Sequence, residues 1–306
     1  MKQLRKKALL PALSMALASV IALSGVTYAW FTTSPTAQVT GMDVNVQTAN
    51  GIQISLDATE WKSNITAGDI TAAINRVQKT YPGSTNQYPT GEIAPVSTAG
   101  TVNSNGKMEM FFGTIDDGKL TTSAEAESET TATGNFIAFD LFVKSSSPQM
   151  LSLGNASAVN GIIVGSDSPN TAGTEKAVRV AFLNLGCAET SAAARALKGE
   201  NVTPWIWEPN AQTRAVGVEA DAGKLPYDGV KTAFQNKAVD ALTDAEVSAV
   251  STNESVGELF QLGAGINKVR VYIWLEGQDV DCINPASFGD FTTTLKFSVP
   301  AAEEEG

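Results

Sequence analysis

The sequence predicts a mostly β protein built as one β-sandwich, with short helices and long loops inserted between strands. Three observations point there. Several segments alternate apolar and polar residues with period 2, as a half-buried strand does. The helical patterns are few and short. The 26 glycines, with many Ser, Thr and Asn, favour turns and strands over long helices.

The strands follow in order of clarity. Phe291, Leu295, Phe297 and Val299 point one way from residues 291–299, and Thr292, Thr294, Lys296 and Ser298 the other. Val269, Val271, Ile273 and Leu275 share one face of residues 269–276; Arg270, Tyr272, Trp274 and Glu276 share the opposite one. Val178, Val180 and Phe182 align within 177–185. Residues 136–143 are apolar on both faces except for Asp140, as expected of a central strand. Near the front, Met42, Val44 and Val46 alternate with Gly41, Asp43 and Asn45. Ile52, Ile54 and Leu56 follow an Asn50-Gly51 turn signal, which predicts a hairpin.

Three short helices are expected. Residues 69–79 carry Ile70, Ala73, Ile74 and Val77 on one stripe and stop at Tyr81-Pro82-Gly83. Residues 190–198 are Ala-rich and closed by Gly199. Thr243-Asp244-Ala245-Glu246 reads as a capping box leading towards Val250. Residues 82–105 and 123–133 read as polar surface insertions between strands. No internal repeat is visible, and strands at both ends with helices between them argue for a single domain over residues 30–306.

Residues 1–29 have the pattern of a signal peptide. Lys2, Arg5, Lys6 and Lys7 form a positive start, residues 8–26 an uncharged apolar run, and Thr27-Tyr28-Ala29 a small-residue cleavage signal between Ala29 and Trp30. An uncleaved anchor helix is the competing reading, since the run is about long enough to span a bilayer; membrane contact is expected only through this segment. Residues 300–306 form an acidic tail with no sorting signal, so surface retention would rest on self-assembly or a partner.

Charge and composition narrow the function classes. Net charge is -11 over the chain and -15 over residues 30–306, a balance that repels nucleic acid and anionic membranes. There is no histidine, which removes Ser-His-Asp and Cys-His catalysis, HExxH zinc sites and histidine acid/base chemistry. No enzyme activity and no cofactor are expected. A hydrolase using two carboxylates ranks last, because no spacing singles out a pair.

Other constellations are weaker. Cys187 and Cys282 would both be exported, and they either form a disulfide or remain separate thiols. Glu276, Asp279 and Asp281 could bind Ca²⁺, but no EF-hand loop follows and solvated turn acids are favoured. Trp205-Ile206-Trp207 could contact a sugar or partner, although packing at one end of a sandwich is favoured.

Three features together resemble a known family: an export signal running into Ala29-Trp30-Phe31-Thr32, the strand Val269 to Gly277 ending in Glu-Gly, and the final strand Asp290 to Phe297 before an acidic tail. They resemble the TasA, camelysin and CalY proteins, exported by Gram-positive bacteria and processed by the signal peptidase SipW. The resemblance covers the N-terminal stretch to about Val46 and the C-terminal stretch from about Gln261. It implies a jelly-roll-type antiparallel sandwich and biofilm-matrix or cell-surface fibres, in which the N-terminal segment of one subunit completes a sheet in the next. The implied partners are other copies of this chain, a SipW-type peptidase, and minor fibre or anchoring proteins. The donor segment would span residues 30–46, with Trp30, Phe31, Val39, Met42, Val44 and Val46 filling an acceptor groove. Residues 30–46 could equally be an ordinary first strand, or be divided, with 30–37 donated and 40–46 internal. The protease activity described for camelysin is not carried over, because the chain has no histidine ligand. The alternative function is a monomeric adhesin or carbohydrate-binding module.

Overall fold

A computed structural model describes residues 37–46, 52–75, 80–89, 91–116, 119–125, 127, 133–154, 162–165, 177–207, 237–238, 257–277 and 290–299. Along the chain the elements are β1 (Ala37–Val46), β2 (Gln53–Ser55), β3 (Asn64–Ile65), α1 (Ala67–Asn75), β4 (Glu92–Ile93), β5 (Ser97–Val102), β6 (Met108–Asp116), β7 (Lys119–Glu125) and β8 (Phe136–Ser145). There follow β9 (Gln149–Leu153), β10 (Ile162–Gly165), β11 (Val178–Ala188), α2 (Ser191–Ala196), β12 (Trp205–Trp207), β13 (Lys237–Ala238), β14 (Glu258–Leu262), β15 (Gly265–Leu275) and β16 (Asp290–Ser298). The protein is mostly β, as its residue alternation implies.

The strands form three sheets. A seven-stranded sheet has the order β14-β9-β16-β1-β3, with β10 beside β16 and β4 beside β1. A five-stranded sheet runs β12-β11-β15-β8-β2, and a four-stranded sheet β13-β7-β6-β5. The first two face each other across the main core. Met42, Val44, Phe291, Leu295 and Phe297 from one meet Ile137, Phe139, Leu141, Val180, Phe182, Val271 and Ile273 from the other. All twelve are essentially removed from water. At roughly 25 cal/mol per Å² of apolar surface, this is the largest favourable term in the fold.

The five-stranded sheet is covered on its far face as well. Phe136, Ala138, Tyr272 and Trp274 pack with Met108, Met110 and Val96 of the four-stranded layer and the segment before it. Further along, Phe142 and Ile266 pack with Tyr81, Ala58 and Ala194. This double burial explains why β8 is apolar on both faces.

Both described helices begin with side-chain caps. Thr66 and Asp69 exchange bonds at the start of α1: Thr66 N–H donates to the Asp69 carboxylate at 3.0 Å, and Asp69 N–H to Thr66 Oγ1 at 3.2 Å. Thr190 Oγ1 accepts from Ala193 N–H at 3.3 Å and caps α2. These bonds satisfy amide donors that the first helical turn leaves without partners. The helix expected after Thr243 lies outside the described residues.

Three expectations are corrected. First, β1 and β2 are not a hairpin. β2 pairs with β8 in the five-stranded sheet, whereas β1 lies in the seven-stranded sheet between β16 and the pair β3/β4. Alternation suits either arrangement, and burying both strands against the common core outweighs the local turn preference. Second, the sandwich is not purely antiparallel, because β1 runs parallel to β16 from Gln38↔Asp290 to Val46↔Phe297. Third, residues 82–105 are not a surface insertion. They contain β4 and β5, and the amide and carbonyl of Gln87 bond to the carbonyl and amide of Ala138 at 2.7 and 3.1 Å, extending the edge of β8. Ser84, Asn86, Gln87, Ser97 and Thr98 are all buried.

Candidate functional site

The expected assembly residues fall on β1 where they are described. Met42, Val44 and Val46 are buried in the main core of their own chain, as is Ala37 beside them, which was not among the expected residues. Val39 pairs through its backbone with Phe291. Trp30 and Phe31, together with residues 1–29 and the Ala29–Trp30 cleavage point, lie outside the described residues. The slot holding β1 is therefore defined by β16 on one side and by β3 and β4 on the other.

The remaining predicted residues are dispersed. Glu276 is fully buried: Ser97 Oγ donates to its Oε1 at 2.5 Å and Trp274 Nε1 to its Oε2 at 3.1 Å. Both oxygens are thus engaged within the protein, a structural arrangement rather than a cation site. Asp279, Asp281 and Cys282 lie outside the described residues, and among the described ones no cluster of three His, Cys, Asp or Glu could hold a metal. Cys187 is an exposed thiol whose Sγ lies 3.4 Å from the Ala264 carbonyl oxygen. Trp207 is buried, and Trp205 packs its ring 6.0 Å from that of Phe182.

A site not anticipated from the sequence lies on the far face of the five-stranded sheet, between its two apolar patches. Period 2 in β8 and β15 puts Asp140, Lys268, Arg270 and Tyr272 on this face, and the register sets Asp140 directly opposite Arg270. Arg270 Nη1 donates to Asp140 Oδ1 at 2.9 Å and to Asn86 Oδ1 at 3.1 Å. Its Nη2 lies 3.0 Å from Glu127 Oε2 and donates to the Thr85 carbonyl at 3.1 Å. Tyr81 donates its hydroxyl proton to Asp140, and Tyr272 donates to Glu127. Lys268 Nζ donates to the carbonyls of Arg195 and Leu197 at 3.0 and 3.1 Å and stands 3.5 Å from Asp140. Lys107 Nζ is 2.8 Å from Glu127.

Burial alone would raise the Asp140 pKa. The charges of Arg270 and Lys268 and the bonds from Tyr81 and Arg270 outweigh it and hold the carboxyl below its usual 3.8. Glu127 is likewise below 4.5, against burial, through Arg270, Lys107 and Tyr272. Lys268 moves the other way: burial lowers it, with Asp140 opposing only in part. Burial and the neighbouring Asp140 charge push the Tyr81 phenol up, so it stays a proton donor.

Above this cluster opens a cavity of about 610 Å³. Its walls include Tyr81, Lys107, Arg195, Lys198, Lys268 and Arg270. Among the described residues of its wall no nucleophile is paired with a base, and the buried charges beneath it are matched to one another. No protein-family model, curated protein sequence or solved structure matches this chain.

Proposed function

We propose that this chain is an extracellular structural subunit that assembles into biofilm-matrix or cell-surface fibres by strand exchange. The single observation that supports it most is the placement of β1. Every described pairing of β1 is long-range, with β16, β3 and β4, while its neighbour in sequence, β2, belongs to the opposite sheet. Withdrawing β1 breaks no hairpin. It leaves a slot whose edges present unpaired backbone groups and whose floor is shaped for Ala37, Met42, Val44 and Val46.

A second copy of the same segment fits that slot in the same register. A contact that passes from copy to copy without closing into a ring makes a filament. In this reading the sandwich is a jelly-roll-type fold with an added outer sheet. Export removes residues 1–29 through a SipW-type peptidase and frees the donor segment from the membrane.

Asn45 and Lys296 are register partners on the outer side of β1 and β16, neither deeply buried. Cysteines at both positions, in a chain carrying C187S and C282S, report where β1 sits. Fibres grown from residues 30–306 should give a ladder of disulfide-linked oligomers on non-reducing gels. Fibres that yield only internally bridged monomers, or a preparation that forms no fibres under any condition, would overturn the proposal.

A further inference from the structure

We propose that the cavity above the Asp140–Arg270 cluster binds a small anionic ligand carrying a carboxylate, sulfate or phosphate group. The chain as a whole is strongly acidic at -11, yet the cavity brings together Lys107, Arg195, Lys198, Lys268 and Arg270. Against these five cations the described residues set two carboxylates, Asp140 in the wall and Glu127 beneath it. A concave wall with such an excess of one sign focuses its field into the cavity and raises the local concentration of the opposite charge.

Arg270 and Lys268 are deeply buried and spend their protons on Asp140, Glu127, Asn86, Thr85 and the two helix carbonyls. They supply field. Arg195 differs: its Nε donates to the Asp57 carbonyl at 2.7 Å and its guanidinium lies 5.4 Å from the centre of the Tyr81 ring. Its two terminal amino groups bond to none of the described residues. A guanidinium held by Nε and by an aromatic ring, with its outer nitrogens unused, offers an oriented fork for a planar or tetrahedral oxyanion. Among the described residues Lys198 Nζ bonds only to Asn105 Oδ1, at 3.0 Å, which leaves donor capacity on its ammonium.

The cavity wall is closely built where two chain segments meet. Gly106 has φ +71°, and a Cβ there would stand 2.2 Å from the Lys198 carbonyl oxygen. Only glycine lets the loop bearing Asn105 and Lys107 approach the chain bearing Lys198 so closely. The volume suits a ligand from a bare oxyanion up to an acidic sugar of one or two rings.

The test uses residues 30–306 with three probes: inorganic sulfate, glucuronate, and glucose as the uncharged control, each titrated by calorimetry at low salt. Sulfate or glucuronate should bind and glucose should not; glucuronate tighter than sulfate indicates an acidic sugar, the reverse a bare oxyanion. Arg195→Gln and Lys198→Gln should each weaken binding about tenfold. Arg195→Lys, which keeps the charge and loses the fork, should weaken it nearly as much as Arg195→Gln. Lys198 is exposed, so its variant also guards against a folding defect at Arg195, with circular dichroism as the check. Absence of binding by both anions at about 10 mM, ten times the Kd of a millimolar site, overturns the proposal. So does binding that neither the Arg195 nor the Lys198 substitution alters.

Discussion

Strands β8 and β15 present two faces, and the same ladder of backbone bonds builds both. On one, Ile137 stands opposite Ile273; on the other, Asp140 stands opposite Arg270. All four side chains are buried. The apolar pair is held by removal from water and by close packing, terms that are short-ranged, non-directional and indifferent to pH. The charged pair has lost its hydration, and it persists because each polar atom found a partner: Tyr81 and Lys268 for Asp140, Glu127, Asn86 and Thr85 for Arg270. The apolar face therefore supplies stability, and the charged face supplies a fixed arrangement of charge beneath a cavity.

The sharpest way to break that contrast is to remove one member of each pair. Arg270→Met leaves Asp140 buried beside a weakened set of partners and should cost about 3–5 kcal/mol, read as a lower midpoint in urea unfolding. Adding Asp140→Asn should recover a large part of that loss, because the amide accepts from Tyr81 and can donate to the Asn86 oxygen that Arg270 vacated. Ile273→Ala should cost about 2–5 kcal/mol through lost burial and the cavity it leaves. Here the second change, Ile137→Ala, should deepen the loss. Rescue on one face and accumulation on the other is the expected outcome; accumulation on both would mean that the charged cluster holds the fold as apolar packing does.

The two faces were not equally legible in the sequence. Alternation in 269–276 separates Val269, Val271, Ile273 and Leu275 from Arg270, Tyr272, Trp274 and Glu276, and the observed strand obeys it. Asp140 was visible as the one polar interruption of an apolar run. Apolar residues on both faces of 136–143 already implied a second covered face, but not what covers it. The cover includes parts of residues 82–105 and 123–133, whose polar, Ser- and Thr-rich content resembles surface loops. In the fold these parts belong to a covering layer, and their polar side chains, Thr85, Asn86 and Glu127, are the partners of Arg270. Those partners stand far from Arg270 in sequence, and a local pattern carries no information about them. The same limit explains β1 and β2. An Asn-Gly dipeptide between two alternating stretches favours a hairpin locally, but opposite sheets bury both strands in one core. Arg195, the residue on which the cavity's chemistry turns, sits in an Ala-rich helix that signalled only its own ends.

Acid sharpens the comparison with no substitution at all. Asp140 and Glu127 have folded pKa values depressed below their ordinary 3.8 and 4.5. A carboxyl of lowered pKa contributes stability that is present above the unfolded value and lost as pH falls through the folded one. Urea midpoints should therefore hold steady down to roughly pH 5 and fall progressively below it. The doubly substituted Asp140→Asn, Arg270→Met protein, which loses one depressed carboxyl and the guanidinium that most lowers Glu127, should fall less steeply. Ile273→Ala should run parallel to the unsubstituted protein at every pH, because its loss contains no titrating group. A Ile273→Ala curve that converges on the unsubstituted one in acid would show that the two faces are coupled.

The smallest expected effect lies where the cavity meets the helix. Thr190 caps α2 through its bond from Ala193 N–H, and Thr190→Ala should cost about 1 kcal/mol. The carbonyls of Arg195 and Leu197, at the other end of α2, accept the protons of Lys268, while Arg195 is pinned by its own bond to Asp57 and by Tyr81. A helix that frays only at its first turn keeps those contacts. Thr190→Ala should lower the urea midpoint slightly and leave anion binding at the cavity unchanged. If binding fell about tenfold with it, the orientation of Arg195 would depend on the whole helix, and the charged face would be positioned by α2 and not by the register of β8 and β15.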